Sequence, residues 1–390
     1  MAKRKRFGSK SQASASNRRD DDPLLPDPDW VRRFRQRIVR WYADHRRDLP
    51  WRNSRDPYRV WVSEIMLQQT QVETVKAYFE RFMAAFPDVA ALAAADEQSV
   101  FRQWEGLGYY RRARQLHAAA QVVTNEHDGV LPTDIKILQS LPGIGRYTAG
   151  AILSIAMDQA QPILEANTLR LFARLLAYPG MPTKGPGQKL LWAFAERLVP
   201  KAQPGRFNQA VMELGSLVCT PKNPDCQKCP ARKLCVAYER EQVELIPAIG
   251  KRTEFTSLLE AAIVVQDGNR FLLRRCQAGE RWAGLWDFPR AQRDPDIAAV
   301  ADDREFLHRI EELTGNRLKM HRHLATIKHG VTRYRITLEC HLALPLGKQS
   351  NAANNERKWL RCDELDQLPL STTGRKIAKM LAGGETKRSC

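Results

Sequence analysis

Residues 141–150 read Leu-Pro-Gly-Ile-Gly-Arg-Tyr-Thr-Ala-Gly, a glycine-containing turn that leads into the start of a helix. Gly143 and Gly145 allow the backbone to come close to a partner, because neither residue carries a Cβ atom. The free N–H groups at the start of the following helix suit a phosphate group, and Arg146 adds a cation there. The stretch therefore predicts a hairpin whose backbone can approach a phosphate group. An ordinary turn between two packed helices has the same pattern and stays an alternative.

A second stretch contains four cysteines in the spacing C-x6-C-x2-C-x5-C, namely Cys219, Cys226, Cys229 and Cys235. Four thiolates in one short loop can surround one metal centre, either an iron–sulfur cluster or a structural zinc ion. Zinc sites more often use two C-x2-C pairs set further apart, so one compact loop favours iron–sulfur. Four reduced cysteines without a metal are the remaining alternative. The loop is also rich in Lys and Arg, which predicts that it presents positive charge to phosphate.

The composition narrows the class of protein. The 390 residues include 62 Lys and Arg against 44 Asp and Glu, a formal net charge of +18. At roughly 150 residues per domain, two or three domains are expected. No apolar run reaches the roughly 18 residues of a membrane span, and no apolar segment follows the N-terminus. Eight cysteines are too sparse for a disulfide scaffold. We therefore expect a soluble, intracellular, multi-domain protein whose first candidate partner is nucleic acid.

The pattern of apolar residues changes along the chain. Residues 1–28 are expected to form a disordered basic tail. Residues 29–238 have helical periodicity, with apolar residues from Val60 to Phe82 continuing as far as a stop at Pro87. Other helices are predicted at 115–125, 147–157, 168–177, 188–199 and 207–218. Residues 239–256 form a predicted linker, which separates the helical domain from a smaller α+β domain.

Residues 257–385 form that α+β domain. A hairpin is predicted there from Ala261 to Arg274, with a turn at Asp267-Gly268. Further strands are predicted at 324–328, 334–344 and 358–360, and helices at 304–313 and 373–381.

Three further segments carry a resemblance to a known family. They are Leu49-Pro-Trp-Arg52, Val60-Trp-Val-Ser-Glu-Ile-Met-Leu-Gln-Gln-Thr-Gln-Val72 and Gly106-Leu-Gly-Tyr-Tyr110. With the glycine hairpin and the cysteine loop, they resemble the endonuclease III superfamily of helix-hairpin-helix DNA glycosylases. Within it they resemble the MutY-type adenine DNA glycosylases, over residues 30–238. The C-terminal half resembles that family's Nudix-like domain, on the domain order and on Trp282-Ala-Gly-Leu-Trp-Asp-Phe-Pro289.

The resemblance implies an all-α helix-hairpin-helix glycosylase domain with an iron–sulfur cluster loop at 219–235, followed by an α+β Nudix-like lesion-recognition domain. It implies a 4Fe-4S cluster on the four cysteines. It further implies an enzyme of base excision repair that flips adenine out of double-stranded DNA, opposite 8-oxoguanine or guanine, and hydrolyses its N-glycosidic bond. A monomer is expected, acting in a bacterial cytoplasm and nucleoid or in a eukaryotic nucleus or mitochondrion.

This reaction needs an acid for the departing adenine and an anion for the sugar cation. Glu64 matches the family's general acid, and its apolar neighbours predict burial and a raised pKa. Glu165 stands where the family carries an Asp, in Glu-Ala-Asn instead of Asp-Gly-Asn, so either the backbone retreats or turnover falls. Asn167 matches the residue that supports this carboxylate, although Asn167 or Thr168 is also a candidate helix N-cap. Tyr147 replaces the lysine nucleophile of the lyase members, which predicts base removal without strand cleavage.

Other positions match the family's substrate contacts. The resemblance places Trp51, Arg52 and Glu213 in the adenine pocket, Gln69 and Tyr109 as wedges in the duplex, and Leu107 beside the damaged base. A core tryptophan and a surface ion pair are the alternatives for the pocket residues. Glycines 143 and 145 and Arg146 are the expected contacts to the DNA backbone. Arg111, Arg112 and Arg114 are expected to meet phosphates or to form a solvated helix face.

The second domain departs further from the family pattern. Val331-Thr332-Arg333 aligns with a Phe-Ser-His loop that contacts 8-oxoguanine in the family. Thr332 keeps a hydroxyl group, but the aromatic ring and the imidazole are missing, so a weaker or differently built readout is expected. No Nudix metal-binding helix is recognisable after Pro289, which predicts no pyrophosphate hydrolysis. Three alternatives stay open: a glycosylase of another specificity such as thymine removal, a non-catalytic lesion binder, and a zinc-stapled DNA-binding module.

Overall fold

The computed structural model describes residues 24–248, 250, 254–347 and 356–385. Most of the predicted tail at 1–28 lies outside these ranges, as does part of the predicted linker at 239–256. The described end of the tail leads directly into the first helix, which starts at Pro28. Within the described ranges, no helix is long and apolar enough to cross a membrane.

Helices and strands follow the predicted order. The helices are α1 (Pro28–His45), α2 (Pro57–Leu67), α3 (Val72–Ala85), α4 (Val89–Ala94), α5 (Glu97–Trp104), α6 (Arg111–Glu126), α7 (Ile135–Ser140), α8 (Arg146–Ile155), α9 (Ala166–Leu175), α10 (Gly185–Leu198), α11 (Pro204–Leu217), α12 (Val236–Glu239), α13 (Arg304–Thr314) and α14 (Thr372–Glu385). The strands are β1 (Thr256–Asp267), β2 (Arg270–Arg275), β3 (Trp286–Asp287), β4 (Arg290–Gln292), β5 (Arg317–Val331), β6 (Tyr334–Leu346) and β7 (Arg357–Arg361). The predicted fold class, helical first and α+β second, is confirmed.

Contacts divide the chain into two compact units that do not follow the chain order. One unit combines Met1–Asp48 with Arg146–Gly250, and the other combines Leu49–Gly145 with Lys251–Cys390. The predicted boundaries, with one helical domain at 29–238, rest on continuous helical periodicity and stay a prediction. Periodicity reports how a segment buries one face, and it carries no information on which distant segment covers that face.

The first unit is held by an aromatic core. α1 begins at a proline, and the Asp27 side chain caps it by accepting a hydrogen bond from the Trp30 amide at 2.8 Å. The Trp30 ring stacks on Phe34 at 5.2 Å between centroids, and Phe34 meets Phe207 of α11 edge to face at 6.3 Å. Such pairs add specific geometry to the burial of large apolar surfaces.

In the second unit, α2 and α3 are separate helices. The apolar periodicity from Val60 to Phe82 predicted one continued pattern, but the helix stops at Leu67 and restarts at Val72. Gln69, in the break, has a φ of 58°, a left-handed conformation that cannot continue a right-handed helix. The break therefore produces a loop at a predicted DNA-contact residue.

The sheet of the second unit has the strand order β3-β2-β1-β6-β5, with β4 paired to β1 and β7 paired to β2. The predicted hairpin is confirmed, since Asp267 pairs with Arg270 across the turn. Alternate residues of β1 enter two different cores. Ile263 packs in the cluster that contains Phe306 of α13, whereas Val264 packs in the cluster that contains Ile377 of α14. The sheet is therefore covered by a helix on each face.

The glycine hairpin follows α7, and its two glycines differ in what they require. Gly143 has a φ of +78°, and a Cβ atom there would lie 2.8 Å from the Gln115 Cβ atom. A Cβ atom at Gly145 would meet no other atom within 4 Å. Only Gly143 is therefore required by the fold itself.

We expect Gly143→Ala to destabilise the protein by roughly 1–3 kcal/mol, because it adds both backbone strain and a steric clash. Gly145→Ala is the matched control and is expected to change stability by less than about 1 kcal/mol. Urea-induced unfolding of both variants provides the measurement. Equal losses of stability would contradict this assignment of the two glycines.

Candidate functional site

Glu64 lies on α2, which is buried along most of its length. Only 4% of the residue is exposed, and its neighbours Val62, Ile65 and Met66 are buried as well. The predicted burial of Glu64 is confirmed. An isolated charge in such surroundings is costly, so a carboxyl group there is either partnered or protonated.

Trp51 and Arg52 lie in a short 3-10 turn, Pro50–Arg52. Trp51 is buried, with 6% exposed, and its ring meets the edge of Phe79 at 5.6 Å. Arg52 is half-buried. Trp51 therefore contributes to the core, as its alternative interpretation expected, and the adenine-pocket role of both residues stays a prediction.

Gln69 and Tyr109 share an unusual backbone conformation. Their φ angles are 58° and 49°, in the left-handed region that non-glycine residues rarely adopt. Both residues are exposed, and the Tyr109 residue exposes 54% of its surface. Strained conformations of this kind persist only where the surroundings hold them. Both predicted wedge residues therefore depend on what supports their loops.

Arg112 of α6 supplies that support for both loops. The residue is 9% exposed, and burial lowers the pKa of its guanidinium to about 10, so it stays charged at neutral pH. Its two terminal nitrogens donate to the carbonyl groups of Ile65, Met66, Gln68, Leu107 and Gly108. One guanidinium therefore connects the loop of Gln69 to the loop of Tyr109.

These contacts correct the expectation that Arg112 meets phosphate. Its terminal N–H groups are engaged inside the protein, so the sequence interpretation of this residue is wrong. Arg114 is also engaged, with its Nε atom 2.9 Å from the Glu97 carboxylate and its Nη2 atom 2.7 Å from the Ala283 carbonyl oxygen. Arg111 is exposed, and its phosphate contact stays a prediction.

Leu107 and Thr332 differ in accessibility. Leu107 is 6% exposed, so a contact between its side chain and a base requires movement of the loop. Thr332 is exposed at the turn between β5 and β6, where Val331 pairs with Tyr334. Its φ angle is 53°, which is unfavourable for a β-branched residue. Thr332 therefore stands at the tip of a long hairpin in a strained conformation.

Arg146 begins α8, at the predicted DNA-contact turn. Its Nη2 atom lies 2.5 Å from a Glu196 carboxylate oxygen, and its guanidinium covers the Trp192 ring at 3.8 Å. Its side chain is still 46% exposed. Exposed ion pairs contribute little free energy, and the phosphate contact of Arg146 stays a prediction.

Glu165 is the N-cap of α9, whereas the sequence had suggested Asn167 or Thr168. Its carboxylate accepts hydrogen bonds from the amides of Asn167 and Thr168, at 2.7 and 2.8 Å. The Thr168 hydroxyl accepts from the Glu165 amide at 2.8 Å, which completes a capping box. Burial raises the pKa of Glu165 above its ordinary value, although these hydrogen bonds oppose the shift.

Asn167 connects this segment to the cysteine loop. Its side-chain oxygen accepts from Arg170 Nη2 at 2.9 Å, and Arg170 Nε donates to the Cys219 carbonyl oxygen at 2.7 Å. One turn later, Arg174 Nη1 lies 3.3 Å from the Cys219 sulfur. Neither arginine was predicted from the sequence, where their spacing of four residues on α9 was the available signal. Tyr147 is half-buried against the core of the same unit.

Glu213 of α11 is 1% exposed and is paired with Arg47. Its carboxylate accepts from the Arg47 amide at 2.7 Å, from Nε at 3.0 Å and from Nη2 at 2.8 Å. The glutamate of this pair is buried, so the pair is not the surface ion pair that was the alternative interpretation. Recognition of adenine by Glu213 stays a prediction.

The four cysteines of the loop line one pocket, together with Arg174 and Arg232. All four are free thiols. Burial raises the pKa of Cys229 to about 12 and that of Cys235 to about 11. Across the residues that the structure describes, no group of three or more His, Cys, Asp or Glu side chains is arranged as a preformed metal site. The donor set nevertheless fits a thiophilic centre, since metal binding deprotonates thiols.

Comparisons with known proteins agree with this architecture. Residues 62–197 match the family model of the HhH-GPD superfamily of base excision DNA repair proteins, and residues 260–380 match that of the NUDIX domain. The helical part is similar to the solved structure of a thermostable thymine-DNA glycosylase, with a TM-score of 0.50 and 31% identity over 54% of this chain and 98% of that chain.

Full-length relatives extend the match to both domains. The adenine DNA glycosylase of Mus musculus is 34% identical over 92% of this chain and 79% of its own length. That of Homo sapiens is 33% identical over 92% and 76%, respectively. That of Schizosaccharomyces pombe is 30% identical over 89% and 88%.

The fold and these matches define a helix-hairpin-helix DNA glycosylase that carries a Nudix-like domain. More narrowly, the chain belongs to the adenine DNA glycosylase family, the MutY-type enzymes.

Arg112→Met removes the donors of the double-loop contact while keeping the apolar stem. Each buried carbonyl left unpaired costs about 1–3 kcal/mol, so the expected loss of stability exceeds roughly 3 kcal/mol. Urea-induced unfolding measures this loss, and limited proteolysis should show cleavage in both loops. Arg111→Met, on the exposed neighbour, is the control. An Arg112→Met protein of normal stability, with weaker and less salt-dependent DNA binding, would restore the phosphate interpretation.

Proposed function

We propose that this protein removes adenine from double-stranded DNA when the adenine faces 8-oxoguanine or guanine. The adenine is flipped out of the duplex and its N-glycosidic bond is hydrolysed, as a step of base excision repair. The burial of Glu64 on α2 is the observation that carries the proposal, because it matches the requirement for an acid beside a leaving base. The family membership supplies the class of reaction.

Glu64 is proposed to protonate the adenine ring, which converts a poor leaving group into a neutral one. Glu165, in its ionised form, is proposed to stabilise the positive charge that develops on the sugar. Asn167 would support the Glu165 segment through its bond to Arg170. Water then completes the hydrolysis.

Tyr147 is proposed to make the enzyme monofunctional. A lyase of this superfamily forms a Schiff base through an amine, and a phenol cannot do so. The Tyr147 hydroxyl would instead hydrogen-bond the reacting carboxylates. Trp51, Arg52 and Glu213 are proposed to recognise the flipped adenine.

Recognition of the mispair is assigned to exposed loops. Gln69 and Tyr109 would enter the duplex, where the tyrosine ring offsets part of the stacking lost on base flipping. Leu107 would approach the damaged base after movement of its loop, and Thr332 would meet the lesion from the hairpin tip. The hairpin with Gly143, Gly145 and Arg146 would hold the DNA backbone. The protein is expected to act as a monomer wherever the genome resides.

Cys219, Cys226, Cys229 and Cys235 are proposed to hold a 4Fe-4S cluster. When bound, the cluster would serve as a structural staple for the basic loop. Two observations support this proposal: Arg170 and Arg174 hold Cys219 against α9, and all four cysteines line one pocket. A zinc ion is the alternative occupant of the same donor set.

Two other functions stay in competition. The similarity to a thymine-DNA glycosylase structure makes removal of thymine from mismatches a second candidate, and the Nudix-like domain favours adenine over it. A non-catalytic lesion binder is the third candidate, because Glu165 replaces the family's Asp.

Single-turnover release of adenine from a duplex with one A:8-oxoguanine pair tests the proposal. We expect release by the wild type, loss of release in Glu64→Gln, and normal release in Glu73→Gln, an exposed control on α3. The rate should fall at acid pH with an apparent pKa above that of an ordinary glutamate, because burial raises the pKa of Glu165, the carboxylate that must be ionised. The same reactions should show no strand cleavage and no borohydride-trapped complex.

The outcomes separate the candidates. A faster Glu165→Asp would identify Glu165 as a compromise, and a slower one would show that the site is built around the longer side chain. Tight binding of the A:8-oxoguanine duplex without adenine release, by both the wild type and Glu165→Asp, would support the lesion binder. Release of thymine from a G:T pair, with none from A:8-oxoguanine, would refute the proposed specificity.

Metal analysis tests the proposed cluster. Purified protein should contain about four irons and a matching amount of sulfide per chain, with visible absorbance. Cys226→Ser should lose iron and melt at a lower temperature. Cys362→Ser, outside the loop, should keep the iron content and the melting temperature of the wild type. Zinc without iron would favour the zinc alternative. A metal-free protein whose melting temperature does not change in Cys226→Ser would favour four reduced cysteines.

A further inference from the structure

The loop of Tyr109, which Arg112 contacts at Leu107 and Gly108, is also held by the C-terminal domain, at Glu105. Glu105 directly follows α5 and precedes the sequence Gly106-Leu-Gly-Tyr109. Its side chain is 8% exposed, and that of Arg375, on α14, is 13% exposed. Arg375 Nε lies 2.6 Å from Glu105 Oε1, and Arg375 Nη2 lies 3.0 Å from Glu105 Oε2. This two-point geometry fixes orientation as well as distance.

Additional hydrogen bonds fix both members of the Arg375–Glu105 pair in place. Glu105 Oε2 also accepts from the Leu370 amide at 3.2 Å. Arg375 Nη1 donates to the Leu365 carbonyl oxygen at 3.0 Å and to the Asp366 carboxylate at 2.6 Å, and Nη2 also donates to the Leu368 carbonyl oxygen at 2.7 Å. Arg375 is therefore fixed by its own domain and holds a carboxylate that belongs to the helical segment.

A second contact docks the same helix on the same domain. Gln98, the second residue of α5, donates to the Gly284 carbonyl oxygen and accepts from the Trp286 indole, both at 2.9 Å. α5 is thus attached near both of its ends. Displacing Glu105 would take from Arg375 its buried carboxylate partner and leave the exposed carboxylate of Asp366, 2.6 Å from Nη1, which is unfavourable for a poorly solvated charge.

The turn after Glu105 transmits this position to Tyr109. Gly106 and Gly108 have φ angles of 93° and 76°, and Tyr109 follows at 49°. The Tyr78 hydroxyl donates to the Glu105 carbonyl oxygen at 2.8 Å, and the Trp104 indole donates to the Gly108 carbonyl oxygen at 3.1 Å. The segment from Gly106 to Tyr109 is short and its backbone is constrained, so a shift of Glu105 would also move Tyr109.

We propose that Arg375 is a positioning residue for Tyr109, and that the Nudix-like domain presents the wedge to DNA through the Arg375–Glu105 pair. The Nudix-like domain then assists extrusion of the adenine, in addition to any contact that it makes with the lesion. The inference rests on the proposed function, because Tyr109 matters only if a base must be extruded. Arg112 holds the loop from inside the helical segment, and Arg375 holds it from the C-terminal domain.

A double-mutant cycle with the full-length chain tests this inference. Arg375→Gln should slow single-turnover adenine release roughly tenfold to a hundredfold, the range typical of lost positioning. In a Tyr109→Ala background, the same substitution should change the rate less than about twofold, since the group it positions is absent. Arg361→Gln, on an exposed side chain of the same domain that pairs with Asp363, is the control and should have no effect.

A second readout does not require catalysis. Fluorescence of 2-aminopurine next to the target pair increases when the base stack opens, so Arg375→Gln should reduce this increase while Arg361→Gln should not. Wild-type protein that opens the stack but releases no adenine would overturn the proposed function and leave the positioning role intact. Should Arg375→Gln fail to fold, Glu105→Gln keeps the shape of the side chain and should give a smaller slowing of the same kind.

Equal slowing in the Tyr109→Ala background, or normal rates and normal fluorescence with only a lower melting temperature, would overturn the inference. The pair would then have a purely structural role.

Discussion

Backbone carbonyl groups in the loops of this protein depend on buried arginine side chains for their hydrogen bonds. A helix or strand satisfies its own carbonyls, but a loop that turns through left-handed conformations cannot, and a buried carbonyl without a partner is costly. Arg112 satisfies five carbonyls, two in the last turn of α2 and three in the loops of Gln69 and Tyr109. Arg174 does the same for Thr220 and Ile246, each at 2.8 Å. The planar fork of arginine makes several such bonds at once, which an ammonium group on a flexible stem does less well.

This use of arginine changes the meaning of the net charge. A formal charge of +18 indicates an anionic partner, but Arg112, Arg174 and Arg375 are committed to carbonyl and carboxylate groups of the protein. The cations that remain for DNA are the exposed ones. Lys222, Lys228 and Lys233 of the cysteine loop are exposed, in agreement with the charge that the sequence predicted for that loop. Net charge thus identifies the class of partner, whereas burial decides which residues can reach it.

The features that local sequence determines were predicted, and those that depend on distant contacts were not. Apolar residues on both sides of Glu64 were sufficient to predict its burial, and a short spacing was sufficient to bring the cysteines to one pocket. The contact between Glu105 and Arg375 joins residues 270 positions apart, and neither local segment signals the other. Likewise, the break at Gln69 was missed because the apolar pattern continues through it and glutamine is not a typical turn residue.

Glu165 shows how a departure from a family pattern can be absorbed locally. An N-cap carboxylate normally belongs to aspartate, whose short side chain reaches the amides at the second and third helical positions. Glu165 reaches the same two amides, Asn167 and Thr168, with both of its oxygens. The start of α9 therefore fixes where the carboxylate lies, and the extra methylene must be accommodated between that point and the backbone. The same amides favour the charged form and oppose the burial that raises the pKa. A glutamate can thus cap α9 through the two amides that an aspartate cap would use, and those hydrogen bonds favour its charged form, which is the form that a carboxylate facing a sugar cation requires.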